Sequence, residues 1–493
     1  MSDNFITLEV KQPPKGKEPH IRVNEGAQQP SQTDIIMDLV TRRCEAVHDA
    51  NKDGFVIDKA SGRVMSIDSS EFGDFVGSEM FKLTNKAMKP YSFADAAASL
   101  KASARFSGRQ VIVNRRVACH EGNLYLDLCQ EGNSKAACVS AQGACVVSNP
   151  PVLFLRSNSM QELPEPDFNG SFDLLWDHCN VPDSYKTLIL GWLIDSLRSE
   201  TPYLGLELIG EQGSGKSTTN KVLRSIIDPS AANTLFEPKD IDDLKVTAYG
   251  NHIVSYGNLS ALSDFMQDAL CHMSTGGGFG GRKLYTNLEA SVVEIKRPWI
   301  VDGIEPLVTR MDTLDRTITV ELPRIRERKS SVDQTKAFKE AHAAILGGIL
   351  SLAAKAMAEV PSITIPPADR PRMIEFCELG MAVTRVLYND DMLFLKQYKQ
   401  MREDAILRLT DESPIVPVLV QLVREKGQII EPTKEILRLL RGMPGVARSE
   451  MPRDARQLGS IMRRYNQALK VHGVECQSLG KIGGLVKWQL TRI

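Results

Sequence analysis

The nine cysteines include no Cys-x-x-Cys pair, and their odd count lacks the spacing of a disulfide framework. That excludes a stapled secreted scaffold and points to free thiols in a reducing compartment. Cys119, His120, Cys129, Cys138 and Cys145 share one segment, but their spacing fits no familiar zinc knuckle. They read better as small, buried apolar residues. No apolar run reaches membrane-spanning length and no signal-peptide apolar region opens the chain, so a cytoplasmic protein without a membrane partner is expected. Internal repeats and low-complexity blocks are also lacking. Net charge is nearly nil, −1 over 493 residues, so any affinity for nucleic acid must come from local patches.

Composition is that of a globular protein, 42% hydrophobic and 25% charged, with room for several domains. Residues 1–33 carry Pro13, Pro14, Pro19 and Pro30 among Lys, Gln and Gly and read as a disordered tail. An α+β domain is expected over 34–155. It has a helix over 34–49 opened by Asp34, a hairpin of 54–58 with 63–67 turning at Ser61-Gly62, and an Ala-rich helix over 92–106. Strand-like runs follow at 111–113 and 124–128; Asp58 and Asp68 read as hairpin or turn residues. Residues 156–200 form a helical lead-in with two helices. Strands and helices alternate over 201–325, which indicates a mostly parallel sheet. A helical domain over 326–410 and a final domain over 411–493 complete the chain.

The strongest motif is Gly210-Glu211-Gln212-Gly213-Ser214-Gly215-Lys216-Ser217, followed by Thr218. It sits between a strand-like run, 203–209, and a helix expected from Lys216 to Ile227. Glycines let the backbone curl so that successive N–H groups face phosphate oxygens, and the helix N-terminus adds a favourable dipole. In this reading Lys216 reaches the β- and γ-phosphates and Ser217 ligates Mg²⁺, so ATP and Mg²⁺ are the expected cofactors.

A second strand, 252–256, ends in Gly257-Asn258, where such a site normally has an acid. Asp264 and Asp268 lie beyond, on a helix; Asp268 reads equally well as a plain solvated residue. The run Thr275–Lys283, with five glycines around Phe279, reads as a mobile loop flanked by strands 284–286 and 292–295. Pro298–Gly303 reads as a core strand whose Asp302 can touch the γ-phosphate or the attacking water. Arg316 reads either as a trans-acting finger at a subunit boundary or as a salt-bridge partner of Asp315 or Asp312. Lys216, the two strand ends and Arg316 fall within about a hundred residues. That spacing suits an AAA+-like or superfamily 3 helicase core better than a kinase or GTPase, and no Asn-Lys-x-Asp guanine-reading motif follows.

These residues resemble the superfamily 3-type, AAA+-like ATP-binding helicase and primase-helicase proteins of prophages and integrative mobile elements. The matching pieces are the 210–218 loop, Asn258-Leu259-Ser260, Ser263-Asp264, Asp268–Cys271, Thr275–Gly278, Arg282-x-Leu284-Tyr285-Thr286, Arg297-Pro298, Gly303-Ile304-Glu305 and Leu314-Asp315-Arg316. Weaker likeness reaches upstream through 125–128 and 150–154, and downstream into the basic end of the chain. The resemblance implies ATP bound between the subunits of a homo-oligomeric ring, with a hexamer as the family's usual assembly. It also implies Asp-Asn at the second strand end and Asn at the third. This chain has Gly257 and Asp302 there, so Asp302 either supplies the missing carboxylate from the neighbouring strand or the site hydrolyses ATP poorly. The family's channel hairpin has its tip at Asn287–Ala290 here, without Lys or Arg; Arg282, Lys283, Lys296 and Arg297 lie at its base.

Residues 411–493 contain 14 Lys or Arg against 8 Asp or Glu. On a helix expected over 455–471, Arg456, Arg463, Gln467 and Lys470 share one face, while Ile461, Met462, Tyr465 and Leu469 can turn to the core. A strand-turn-strand with Lys481 at its tip follows, the order of a winged helix. Arg456, Arg463, Arg464, Lys470 and Lys481 are the candidate DNA contacts, with an ordinary solvated face as the alternative. The expected function is an ATP-dependent helicase or translocase on single-stranded or forked DNA. A nucleotide-gated DNA-binding scaffold or regulator, in replication or defence, is the alternative; a small-molecule kinase lacks the lid arginines.

Overall fold

The computed structural model describes residues 30–282, 290–327, 330–411, 413–444, 447, 449 and 451–493. Most of the expected N-terminal tail, the tip of the 283–289 hairpin and Lys283 lie outside the described residues. The chain divides into two compact units, Met1–Cys138 with Cys145–Leu163, and Val139–Ala144 with Pro164–Ile493.

In the first unit, Ser31 opens helix Gln32–Arg43 with a capping box: its hydroxyl accepts from Asp34 N and the Asp34 carboxylate accepts from Ser31 N. The helix therefore begins before Asp34. It also stops at Arg43, short of the expected residue 49, because Cys44–His48 is a strand paired antiparallel with Gly54–Asp58. The expected hairpin is present, with Phe55 opposite Ser66 and Ile57 opposite Val64. Helices Ser70–Thr84 and Pro90–Phe106 close the core with Ile36, Val40, Val56, Phe72 and Leu100. The run at 111–113 yields only a two-residue strand, Val113–Asn114, paired parallel with Leu153–Phe154. Asp58 is a turn residue, accepting from Ser61 Oγ at 2.6 Å and Arg43 Nε at 3.2 Å.

In the second unit the lead-in holds one short 3₁₀ segment, Phe172–Asp177, and helix α1 (Asp183–Asp195), where two α-helices were expected. The core follows as β1 (Gly205–Ile209), α2 (Lys216–Ile227), α3 (Ile241–Gly250), β2 (Val254–Leu259), α4 (Asp264–Thr275), β3 (Gly277–Arg282), β4 (Ala290–Ile295), β5 (Trp299–Gly303) and β6 (Thr317–Glu321). Strands β2-β5-β1-β6 form a parallel sheet in that order. Every residue of β1 and β5 is buried, as expected of central parallel strands covered on both faces. Packing is tight enough that a Cβ at Gly205 would fall 2.0 Å from the Trp299 ring, whose Nε1 donates to Ser274 Oγ at 2.9 Å. The glycine-rich run is not a free loop: Gly277–Arg282 is itself a strand, paired antiparallel with β4.

Helices α5 (Ser331–Glu359), α6 (Ile374–Tyr388) and α7 (Met392–Asp411) form the helical domain. The stretch Ser331–Ser362 is long and apolar enough to cross a membrane by length and composition, which corrects the reading that no such run exists. More than half of its most apolar window is buried, through residues such as Ile345, Leu346, Ile349 and Leu350, as in a core helix. The last domain runs α8 (Ile415–Lys426), β7 (Gln428–Pro432), α9 (Thr433–Arg441), α10 (Ala455–Arg464), α11 (Asn466–Val471), β8 (Val474–Ile482) and β9 (Leu485–Arg492). Its antiparallel sheet has the order β7-β9-β8.

Candidate functional site

The 210–217 loop leaves β1 and enters α2 directly. Gly213 and Gly215 have φ of +87° and +82°, in the left-handed region that glycine occupies without strain. α2 starts at Lys216 with no side-chain cap, so its first N–H groups are open to an anion. Lys216 Nζ folds back onto the loop, donating to Gly210 O at 2.7 Å and Glu211 O at 2.9 Å. Burial lowers the Lys216 ammonium below its usual range, and the nearby Asp302 carboxylate opposes that. A negatively charged ligand offers the same ammonium a stronger partner than two carbonyls.

Asp302, at the end of β5, is 0% exposed. Its Oδ1 accepts from Ser217 Oγ at 3.0 Å and from Asn258 N at 3.1 Å, and its Oδ2 accepts from Asn220 Nδ2 at 2.8 Å. A buried carboxylate persists when donors satisfy it, and these three come from α2 and β2. The parallel pairing of β2 with β5 delivers Asn258: the register shifts between Tyr256 and Leu259, and Asn258 turns to φ +57°. Its side-chain oxygen also accepts from Ser217 Oγ at 3.1 Å. Gly257 stands against this carboxylate, since a Cβ there would lie 3.0 Å from Asp302 Oδ2. The two strand ends thus share one carboxylate position, and Asp302 fills it.

A cavity of about 690 Å³ lies over these groups, lined by Gln212, Gly213, Gly215–Thr218, Asn258–Ser260 and Asp302–Glu305. Asp302 and Glu305 are the carboxylates in that lining; Asp302 is held by three donors and Glu305 is exposed. Ser217 Oγ and the Asp302 carboxylate are hard oxygen donors side by side, the kind that suits Mg²⁺. The cradle and the adjacent ammonium suit a polyphosphate.

Arg316 is placed otherwise than at an exposed boundary. It is 9% exposed, and its guanidinium donates to Asp312 O at 2.7 Å and Cys271 Sγ at 2.9 Å. Those contacts lie within its own chain, and the Asp312 partner is the carbonyl rather than the carboxylate. Asp268 is remote from the Ser217–Asp302 pair and bridges Arg310 at 2.9 Å.

Sequence reasoning missed Asn220 and Asn180, and named Asn258 and Glu305 only as pieces of the family resemblance. Asn220 had a signal, its place three residues after Ser217 on α2; the structure buries it fully. It also accepts from Ser255 Oγ at 2.7 Å. Asn180, in the lead-in, had none: it reaches the loop only through the fold, donating to Ser214 O at 2.9 Å.

In the last domain Arg456, Arg463, Arg464, Lys470 and Lys481 are all exposed. The expected single helix over 455–471 is broken at Tyr465 into α10 and α11, so Gln467 and Lys470 do not continue the face of Arg456 and Arg463. The break coincides with α11 packing beside α7, where Lys470 lines a cleft with Lys399 and Arg402. Met462 and Leu469 turn to the core as expected, and Arg463 lies 6.0 Å over the Trp488 ring. Lys481 precedes the Gly483-Gly484 turn.

Residues 172–403 match the family described as actinomycete integrative conjugative element replication proteins. No curated protein matches the chain. Among solved structures, the apo C-terminal region of NrS-1 is 15% identical at a TM-score of 0.40, covering 95% of this chain and 100% of that one. The active helicase Cch of SCCmec type IV is 10% identical at 0.47, covering 91% and 92%. The JCV helicase bound to a thiazolopyridinyl-phenoxyphenyl acetamide is 12% identical at 0.26, covering 48% and 64%.

Proposed function

We propose that this chain is an ATP-dependent DNA helicase or translocase in the replication of an integrative mobile element, built on a P-loop core. The observation that carries the reading is the convergence of Lys216, Ser217 and the buried Asp302 on one cavity at the mouth of a strand–loop–helix. The family match over 172–403 supports the replication role.

In this reading the loop N–H groups and Lys216 bind the β- and γ-phosphates, and Ser217 and Asp302 hold Mg²⁺. Bound there, Mg²⁺ neutralises charge on the phosphate oxygens. Asn258 and Asn220 keep the Asp302 carboxylate aimed at that point. Glu305, exposed in the cavity wall, is the carboxylate available to take a proton from an attacking water. The order helix–strand–helix–helix–helix–strand–strand and the sheet order β7-β9-β8 support a winged helix, whose exposed cations would hold DNA phosphates. Assembly into a ring, hexameric by analogy with the resembling family, belongs to this proposal.

A second reading, an ATP-gated DNA-binding scaffold, is favoured by one observation: Gly257 stands where the family carries its acid. Steady-state ATP hydrolysis with and without single-stranded DNA, beside Lys216→Ala, separates the two. DNA-stimulated turnover lost in the variant supports a motor; ATP binding without turnover above that blank rules it out and leaves the scaffold.

A further inference from the structure

A peptide unit points its carbonyl and its N–H in opposite directions. Whatever holds a loop carbonyl from outside therefore aims the next residue's N–H inward. In the 210–217 loop two carbonyls are held this way. Ile325 N donates to Gly213 O at 3.2 Å, and Asn180 Nδ2 donates to Ser214 O at 2.9 Å. The Gly213–Ser214 unit is tied on both sides, since Ser214 N donates to Glu211 O at 3.2 Å. The Ser214–Gly215 unit depends on Asn180 for its orientation.

Asn180 is placed to act on this unit. It follows the 3₁₀ segment and precedes α1, between the buried Cys179 and Val181, and Val181 N donates to Cys179 O at 2.9 Å. The same amide donates to Pro323 O at 2.6 Å, so one side chain ties the loop to the exit of β6. The Ile325 side chain closes the outer side of Gly215: a Cβ on that glycine would fall 2.8 Å from Ile325 Cδ1.

Resting on the phosphate-loop reading above, we propose that Asn180 is a positioning residue that locks the Ser214–Gly215 peptide so that the Gly215 N–H faces a bound phosphate. Its amide spends both donor hydrogens on carbonyls, which an isosteric carboxylate cannot do and would repel. Asn180→Asp therefore releases the peptide while keeping the side-chain shape.

The test is isothermal titration of the full chain with ADP–Mg²⁺ and with inorganic pyrophosphate, comparing wild type, Asn180→Asp, Asn180→Ala and Lys216→Ala, with melting temperature recorded for each. The expected result is a loss of about tenfold in affinity for both ligands in Asn180→Asp, a smaller loss in Asn180→Ala, and little change in melting temperature. Affinities in both Asn180 variants within about twofold of wild type, while Lys216→Ala loses binding, overturn the proposal and leave the loop reading intact. Unchanged binding in Lys216→Ala overturns the loop reading itself and this inference with it. Should Asn180→Asp fail to fold, Asn180→Ala carries the test by the same criteria.

Discussion

The cavity and the last domain handle charge in opposite ways. At the loop, Asp302 is buried and Lys216 folded back, each committed to named partners: Asp302 to Ser217, Asn258 and Asn220, and Lys216 to loop carbonyls. In the last domain Arg456, Arg463, Arg464, Lys470 and Lys481 stand exposed. A buried network depends on the geometry of every member, so one changed atom costs much. An exposed cationic surface acts through a screened field, so its members should count separately and weakly.

The sharpest way to break this contrast is at the cavity. Lys216→Ala is expected to abolish ATP turnover, read as steady-state phosphate release. Asp302→Asn should lower kcat by about a hundredfold, with melting temperature as the control for folding. Gly257→Asp alone should not raise turnover, because its carboxylate would press on Asp302 Oδ2; the paired change Gly257→Asp with Asp302→Asn should recover part of what Asp302→Asn loses. Recovery by Gly257→Asp alone would overturn the shared-position argument.

The exposed side of the contrast is expected to give small, additive effects. Alanine at Arg463, Lys470 or Lys481 should each weaken DNA binding several-fold and reduce the slope of log affinity against log salt by about 0.7 for single strands. A single variant that abolishes binding at all salt concentrations would contradict that.

The smallest effect concerns stability. Burial holds the Asp195 carboxyl up at about 7, with Arg198 opposing, and the His342 imidazole down at about 4. Asp195 stabilises the fold most below about pH 4, and that contribution is lost as pH rises through about 7. His342 does the reverse: the unfolded chain takes up a proton below about 6.5 that the folded one refuses until about 4, so stability is lost as pH falls through that window. The two oppose each other between pH 4 and 6.5. Asp195→Asn removes one side of that opposition, and melting temperature should climb from pH 5 to 6.5 more steeply than in wild type, by the equivalent of about 2 kcal/mol.

The loop and α2 were legible in sequence because their signal is local: glycines, Lys216 and Ser217 are adjacent, and α2 spans the expected Lys216–Ile227. The alternation of strands likewise announced a parallel sheet. The Asp302 cluster was only half legible. Its members come from residues 217, 220, 258 and 302, and the β2–β5 register alone puts them together. The setting of Arg316 was not legible, because exposure is not a local property; its neighbours in sequence give no hint of Cys271 beside it. The helix at 32–43 was drawn too long because 44–48 has an apolar pattern that suits either element until Gly54–Asp58 pairs with it.

β6 can also be seen as a tie bar. Just beyond its far end Ile325 and the Pro323 carbonyl are fastened to the loop and to Asn180; Asp315 just before it and Glu321 at its last residue are fastened to Arg402 and Arg408 of α7. α7 in turn carries α11 of the last domain against its side. Load placed on the last domain would be borne along this line, and its anchorage is the 210–217 loop.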